Sequence, residues 1–482
     1  MNVQDLTPKD VFSYFAEISS IPHGSHNLDK ITEYCINFAK NHNLEYRKDD
    51  AGNIVIYKPG TLGLESHEPV ILQGHLDMVC EKVEDSPINM ETDPLELMTD
   101  GEWLWAKDTT LGGDDGIALA YCFALLASND IKHPPLEVLF TANEEVGLMG
   151  AHGLDVSMLS GKRLINLDSE EEGIITVSCA GAARITSEIP VAKQKLNADD
   201  SVAFEISVGG LLGGHSGVDI NSHRKNAGKV LAELLDWIFN KVRISISNFQ
   251  CGGRLNVIPN TASMVVACSK DKKAVTQTII NDFVHLMKKE CLSTEPGITF
   301  NVKEVDVPSE GSSPAGTRQL IFALMECPHG VTEMSPDIDG LVQTSINLGR
   351  IDYSNNTLTM SYMARSNADY GKKVLIRKIS LLSEQLQGVM TIDTDYSAWE
   401  YRLDSPLRDT MVQAYADYYS EVPVISALHA GLECGIIGEK IPNMDMASIG
   451  PTIKYVHSPM ERMNIASAKR SYDYLLRVLE ML

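Results

Sequence analysis

Residues 69–77 read Pro-Val-Ile-Leu-Gln-Gly-His-Leu-Asp, and their pattern sets the fold class. Val70 to Leu72 is a short apolar run of the kind that forms a buried strand. The run ends at Gln73-Gly74, and His75 and Asp77 follow. In α/β proteins, ligands bind beyond the carboxyl ends of the strands. A His there, with a carboxylate two residues on, suits a metal site: one group binds the ion and the other orients its neighbour. Alone, His-x-Asp is a weak signal, because histidines are often satisfied core or loop residues.

Three more segments repeat the pattern. Asp108-Thr109-Thr110-Leu111-Gly112-Gly113-Asp114-Asp115-Gly116 precedes an almost unbroken apolar run, Ile117 to Ala127. A buried helix entered from Asp-Asp-Gly holds both carboxylates near its N-terminus, inside the fold. A solvated Asp-Gly turn is the plainer reading of those residues alone. The β-branched and aromatic run Leu136 to Phe140 leads into Asn143-Glu144-Glu145. Paired acids raise each other's pKa unless a cation is near, and one can act as base while its neighbour binds metal. A charged strand end facing water is the alternative. Leu164-Ile165-Asn166-Leu167-Asp168 is a further short strand ending in a carboxylate. Together these segments supply what a two-metal hydrolase needs: mixed imidazole and carboxylate ligands, one shared carboxylate, and one left free to take a proton.

Gly74-His75-Leu76-Asp77, Leu111 to Gly116, Thr141 to Gly147 and Asn166-Leu167-Asp168 resemble the M20 family of dinuclear zinc peptidases. The pattern is most similar to the aminoacyl-histidine dipeptidase group, also called peptidase D or Xaa-His dipeptidase. Gly213-Gly214-His215-Ser216-Gly217, Gly252 to Pro259, His429 to Gly435 and Val456-His457-Ser458-Pro459 follow in the family's order. The resemblance implies that His75 and Asp168 bind one metal, that Glu145 and His457 bind the other, and that Asp114 bridges them. It implies Glu144 as general base, Asp77 as the carboxylate that orients His75, and His215, Asn256, Arg365 and Gly431 as substrate-binding residues. Two divalent ions per chain follow, zinc foremost with cobalt or manganese as alternatives. Asp114, Glu145 and Asp168 would leave one positive charge over.

The implied activity is hydrolysis of Xaa-His and other dipeptides by metal-activated water. Two rivals stand beside it. An N-acyl amino acid deacylase of the same family would not need a free substrate amine. A non-catalytic peptide-binding relative would not need Glu144. The implied architecture is an α/β catalytic domain, residues 1–185 and 391–482, with a mixed sheet flanked by helices. An α+β lid domain, residues 186–390, is inserted in it.

The rest of the chain agrees with that reading. At 482 residues it is too long for one ordinary core. A net charge of −24 argues against nucleic acid or an anionic membrane as partner. No apolar run is long enough for a membrane span, and Met1 to Asp5 lacks the character of a signal peptide. Nine scattered cysteines without a CxxC pair read as reduced thiols. Cys434, after His429, is the one placed to line a pocket. The expectation is a cytoplasmic enzyme with a small peptide substrate, a homodimer being one option.

Local signals place the elements. Thr7 is expected to cap a helix with Pro8 in its first turn, and Ile31, Tyr34, Cys35, Phe38 and Ala39 share the face of a second. Later, Val202–Val208, Ala262–Cys268, Phe300–Val305 and Thr357–Tyr362 read as strands. Ala227–Trp237, Thr276–Lys288 and Leu375–Leu386 read as helices. Pro308–Thr317 reads as an exposed loop.

Overall fold

The computed structural model describes residues 3–482. The chain divides into two units. One contains the residues up to Cys179 together with Trp399–Ala427 and Leu432–Leu482; the other contains Ala180–Ala398 and Leu428–Gly431. The second unit takes in more than residues 186–390. Strand Gly181–Pro190 pairs antiparallel with both Thr357–Ser366 and Val389–Tyr396, and these ladders hold residues 181–185 and 391–396 in its sheet.

The first unit is built on an eight-stranded mixed sheet. Its order is Glu45–Lys48, Ile54–Lys58, Leu136–Thr141, Val70–His75, Arg163–Asn166, Asp445–Ser448, Ile174–Cys179 and Val424–Leu428. The four strands from Leu136–Thr141 to Asp445–Ser448 run parallel. Parallel strands are buried on both faces, which is why Val70, Ile71 and Leu72 have no exposed surface. Register does the positioning. His75 lies opposite Thr141 and Gln73 opposite Asn166, so the residues just after these strands emerge at one level.

Helix Gly113–Ala127 packs on strand Val70–His75 and on helix Lys9–Ser19. It is apolar on all sides and buried on all sides, as such a helix must be. Phe123 anchors it against Tyr14, Tyr34, Phe38 and Phe140. Gly74 permits the close approach of helix and strand: a Cβ there would lie 2.6 Å from Asp115 Oδ2 and 2.8 Å from Ala118 Cβ. At the far end of this helix, Lys58 Nζ donates to the carbonyls of Leu125 and Leu126 at 2.7 and 3.1 Å. A cation there meets the negative end of the helix dipole.

The second unit carries a nine-stranded antiparallel sheet. Helices Ala227–Phe239, Lys273–Glu290, Pro314–Glu326 and Asp369–Gln385 pack on it, around a core that includes Phe204, Leu231, Phe249 and Tyr362. The expected strands and helices of this half are present. The whole is the expected mixed α/β architecture with an inserted α+β unit.

Three local expectations are corrected. The first helix starts at Lys9, with Pro8 in the extended cap position and no side-chain cap bond, so Thr7 does not cap it. Pro308–Thr317 is not an exposed loop. Glu310–Ser312 pairs with Lys193–Lys195, Gly311 and Ser312 are buried, and Ser313 caps the helix that begins at Pro314. Ser followed by Pro is itself a helix-start signal, masked here by the surrounding Gly and Ser. Cys434 lines no pocket; it is fully buried in helix Glu433–Lys440.

Candidate metal centre and substrate-recognition residues

Five segments converge at the carboxyl ends of the parallel strands. His75 ends one strand, Asp168 follows the next by two residues, and Glu144 and Glu145 follow Thr141. Asp114 stands at the entry to helix Gly113–Ala127, where its backbone and that of Asp115 depart from helical values. His457 comes from the loop between Ile453–Lys454 and Arg462–Asn464, far away in sequence.

The geometry centres on Asp114. Its Oδ1 lies 2.9 Å from His75 Nε2, and its Oδ2 lies 3.1 Å from His457 Nε2. Asp168 Oδ1 is 3.6 Å from His75 Nε2, and Glu145 Oε1 is 3.0 Å from His457 Nε2. Ligand atoms of His75, Asp114 and Asp168 lie within 4.8 Å of one another, as do those of Asp114, Glu145 and His457. A third such group joins His75 to Glu144 and Glu145. All five expected ligands are therefore brought together, with Asp114 common to two of the groups.

The donor chemistry fits divalent cations. His75 Nδ1 lies 2.9 Å from the backbone carbonyl of Asp77. That contact assigns the Nδ1 proton and turns the Nε2 lone pair toward Asp114 and Asp168. A lone pair facing two carboxylates repels them unless a proton or a metal ion lies between. Without metal, protons must fill this role. Burial opposes protonation of His75, but Asp114, Asp168 and Asp77 raise its pKa well above the usual value. The carboxylates of Asp114 and Glu145 push His457 up to about 11. Burial opposes ionisation of Asp114, yet its hydrogen bonds with His457 and His75 hold its carboxyl well below the ordinary range. Burial and the charge of Asp114 push Asp168 up to about 7. Mixed imidazole and carboxylate sets of this kind suit zinc and its neighbours.

Asp77 meets both His75 and the turn that carries the glutamates. The contact to His75 Nδ1 is made by the Asp77 carbonyl, while the carboxylate stands 3.6 Å away. That carboxylate accepts Glu144 N at 2.8 Å, Glu145 N at 3.2 Å and Ser25 Oγ at 2.8 Å. Asp77 thus holds the turn that presents both glutamates. Burial raises Glu144 well above an ordinary carboxyl, with His75 opposing and Asp168, Glu433 and Glu145 adding to it. A carboxyl so placed takes up a proton readily.

Sequence reading missed three buried acids here. Asp115 Oδ2 accepts from His75 N at 3.1 Å, and burial raises its pKa well above the ordinary value. Glu433 accepts from Gln73 Nε2 at 2.7 Å and Thr141 Oγ1 at 2.5 Å, and burial pushes it up to about 7. Glu461 receives backbone N–H groups of the Asp114 loop. Asp115 and Glu433 lay within recognised motifs, but only burial marks them out. Glu461 had no signal beyond its closeness to His457.

In the second unit, Arg365 lies in strand Thr357–Ser366, opposite Ser345 and Ala182. It is 6% exposed, and its Nε has no hydrogen-bond partner among the described residues. His215 Nδ1 accepts from Gly217 N and Val218 N at 3.3 and 3.2 Å, which leaves Nε2 as the protonated, donating nitrogen. Asn256 is exposed, and its carbonyl accepts Ser216 N at 2.8 Å beside His215. Gly431 faces Tyr396, whose hydroxyl would lie 2.9 Å from a Cβ there. His429 joins this set unforeseen. Its Nε2 meets Ser345 Oγ at 2.7 Å and its Nδ1 meets Asn367 Oδ1 at 3.0 Å. Burial, then the charges of Arg365 and His215, push it down to about 3, so it stays neutral.

Among the described residues, no helix is long and apolar enough to cross a membrane. The family model for peptidase family M20/M25/M40 matches residues 71–481. The chain is 34% identical over 479 residues to the cytosol non-specific dipeptidase of Escherichia coli (strain K12), covering 99% of this chain and 98% of that one. The structure of aminoacylhistidine dipeptidase from Vibrio alginolyticus superposes with a TM-score of 0.94 at 35% identity, covering 100% of this chain and 98% of that chain. Aminopeptidase PepT from Bacillus cereus ATCC 10987 shares the fold, with a TM-score of 0.58 at 13% identity and 99% of each chain covered. With its ligand-type residues gathered at the strand ends and the family model spanning nearly the whole chain, this protein belongs to peptidase family M20 and is a peptidase.

Proposed function

We propose that the protein is a cytosolic dipeptidase that hydrolyses Xaa-His and other dipeptides, using two divalent ions, zinc foremost. The observation that carries this is Asp114, whose two oxygens face two imidazoles, each with its own further carboxylate. The names of the Escherichia coli and Vibrio alginolyticus relatives support the substrate class.

His75, Asp114, Asp168, Glu145 and His457 would hold the divalent ions, which would supply the Lewis acidity that makes water nucleophilic near neutral pH. Glu144 takes the proton from the attacking water and passes it to the leaving amine, a task its raised pKa suits. Asp77 keeps Glu144 and Glu145 aimed by holding their backbone N–H groups. His215 donates from Nε2 to the developing oxyanion. Arg365 offers its planar fork to the substrate's terminal carboxylate, and Asn256 and Gly431 complete the substrate contacts.

A hydrolysis panel tests this, with zinc, manganese and cobalt each added to metal-free protein. The substrates are dipeptides including β-alanyl-histidine, tripeptides, and N-acetylated dipeptides. Turnover confined to dipeptides with a free amine is the expected result. Comparable rates on N-acetylated substrates favour the deacylase, and binding without turnover favours a non-catalytic relative.

A further inference from the structure

Glu461 lies four residues beyond His457 and is 2% exposed. Its Oε2 accepts Leu111 N at 2.8 Å and Gly112 N at 3.1 Å; its Oε1 accepts Gly113 N at 2.8 Å and Asp114 N at 3.4 Å. A carboxylate has about four lone-pair sites, and four N–H groups occupy them. Glu461 is therefore no metal ligand. It is a strut between the loop that carries Asp114 and the loop that carries His457.

The His457 loop needs one. Tyr455 and His457 have φ values of 59° and 58°. Left-handed backbone is costly for residues with a side chain, so something must hold the His457 turn. Glu461 N bonds Ser458 O at 3.0 Å and Ser458 Oγ bonds Tyr455 O at 2.6 Å. These contacts close the turn onto Glu461, and Glu461 fixes it to the Asp114 backbone. His75 is held independently, by Asp115 Oδ2 at its N–H and by the Asp77 carbonyl at Nδ1.

We propose that Glu461 is a positioning residue that sets His457 against Asp114, and so selectively supports the ion held by Asp114, Glu145 and His457. The proposal rests on the two-ion reading above. It is tested by calorimetric zinc titration of metal-free wild type, Glu461→Gln, Glu461→Asp and Lys58→Met, with melting temperatures measured in parallel. Gln turns one acceptor oxygen into an amide that faces N–H donors. Asp keeps the charge but is too short to span all four N–H groups, and it carries the test if the Gln variant does not fold.

Wild type should bind two ions. In both Glu461 variants one ion should weaken by about 10–100-fold, as loss of a ligand's supporting group does, while the other stays within a few-fold. Lys58→Met removes a helix-end contact remote from the ligands. It should lower the melting temperature and leave the ratio of the two affinities unchanged. An unchanged ratio in the Glu461 variants overturns the proposal. So does full recovery in Glu461→Asp, which would make charge alone responsible, and so does the same ratio change in Lys58→Met, which would make it a general stability effect. Fewer than two ions on wild type would instead refute the two-ion reading, and the positioning role with it.

Discussion

Asp114→Asn is the sharpest perturbation of the centre. Asn keeps the volume of a buried side chain but offers one carbonyl oxygen and one amide nitrogen where Asp114 offers two oxygens to two imidazoles, at 2.9 and 3.1 Å. Only one of the two groups can keep an oxygen from this position; the other then faces an N–H donor. The charge is lost as well. A unit charge at roughly 4 Å from another, at an effective dielectric of about 20, is worth about 4 kcal/mol, or about three decades in affinity. Because His457 is half exposed, solvent screens that side, and about 10²–10³-fold is the expected loss for the weaker ion. The assay is metal content by mass spectrometry after dialysis at a free zinc concentration where wild type holds two ions, with circular dichroism to check the fold. One ion per chain is expected. Two ions at wild-type affinity would refute the bridging role and the arrangement built around it.

Further predictions follow from the same geometry. Glu144→Gln should retain both ions but lower kcat by about 10²-fold or more, as loss of a general base does; steady-state kinetics with metal analysis checks this. Arg365→Ala should raise KM by about 30-fold or more on free dipeptides and little on dipeptide amides, since a desolvated charge-assisted contact is worth about 2–5 kcal/mol. Arg365→Lys should restore little, because a point charge cannot form the bidentate pair. Burial pushes Asp168, Glu433, Glu170 and Glu461 up to about 7 from ordinary values near 4. Between about pH 4 and 7 the metal-free folded protein therefore binds more protons than the unfolded chain, and its stability falls as pH rises through that window. Thermal melts at pH 5 and pH 7 should show this fall in chelated protein and a much weaker one in zinc-loaded protein.

The sequence by itself marked several of the strands and the order of the segments that carry His, Asp and Glu at their ends; the resemblance it carries named the candidate ligands among them. Its signals were local. Apolar runs such as Val70–Leu72 and Ile117–Ala127 must be buried, and the residues that follow a parallel strand must emerge at its carboxyl end. Tertiary structure decided what depends on distant partners. Gly74 looked like one member of a motif, but its role is to let Asp115 and Ala118 approach. The Asp77 carboxylate, expected beside His75, lies 3.6 Å from its Nδ1 and also takes the N–H groups of Glu144 and Glu145, because the turn after Thr141 folds back over it. Residues 391–396 joined the second unit because Val389–Tyr396 pairs with Gly181–Pro190 as the last strand of its sheet. Asp115, Glu433 and Glu461 are ordinary acids in the sequence. They matter only because burial removes water from a carboxylate and leaves backbone or side-chain donors as its sole partners, and which donors those are is settled only when distant segments come together, 40 residues apart for Asp115 and His75 and hundreds for Glu433 and Glu461.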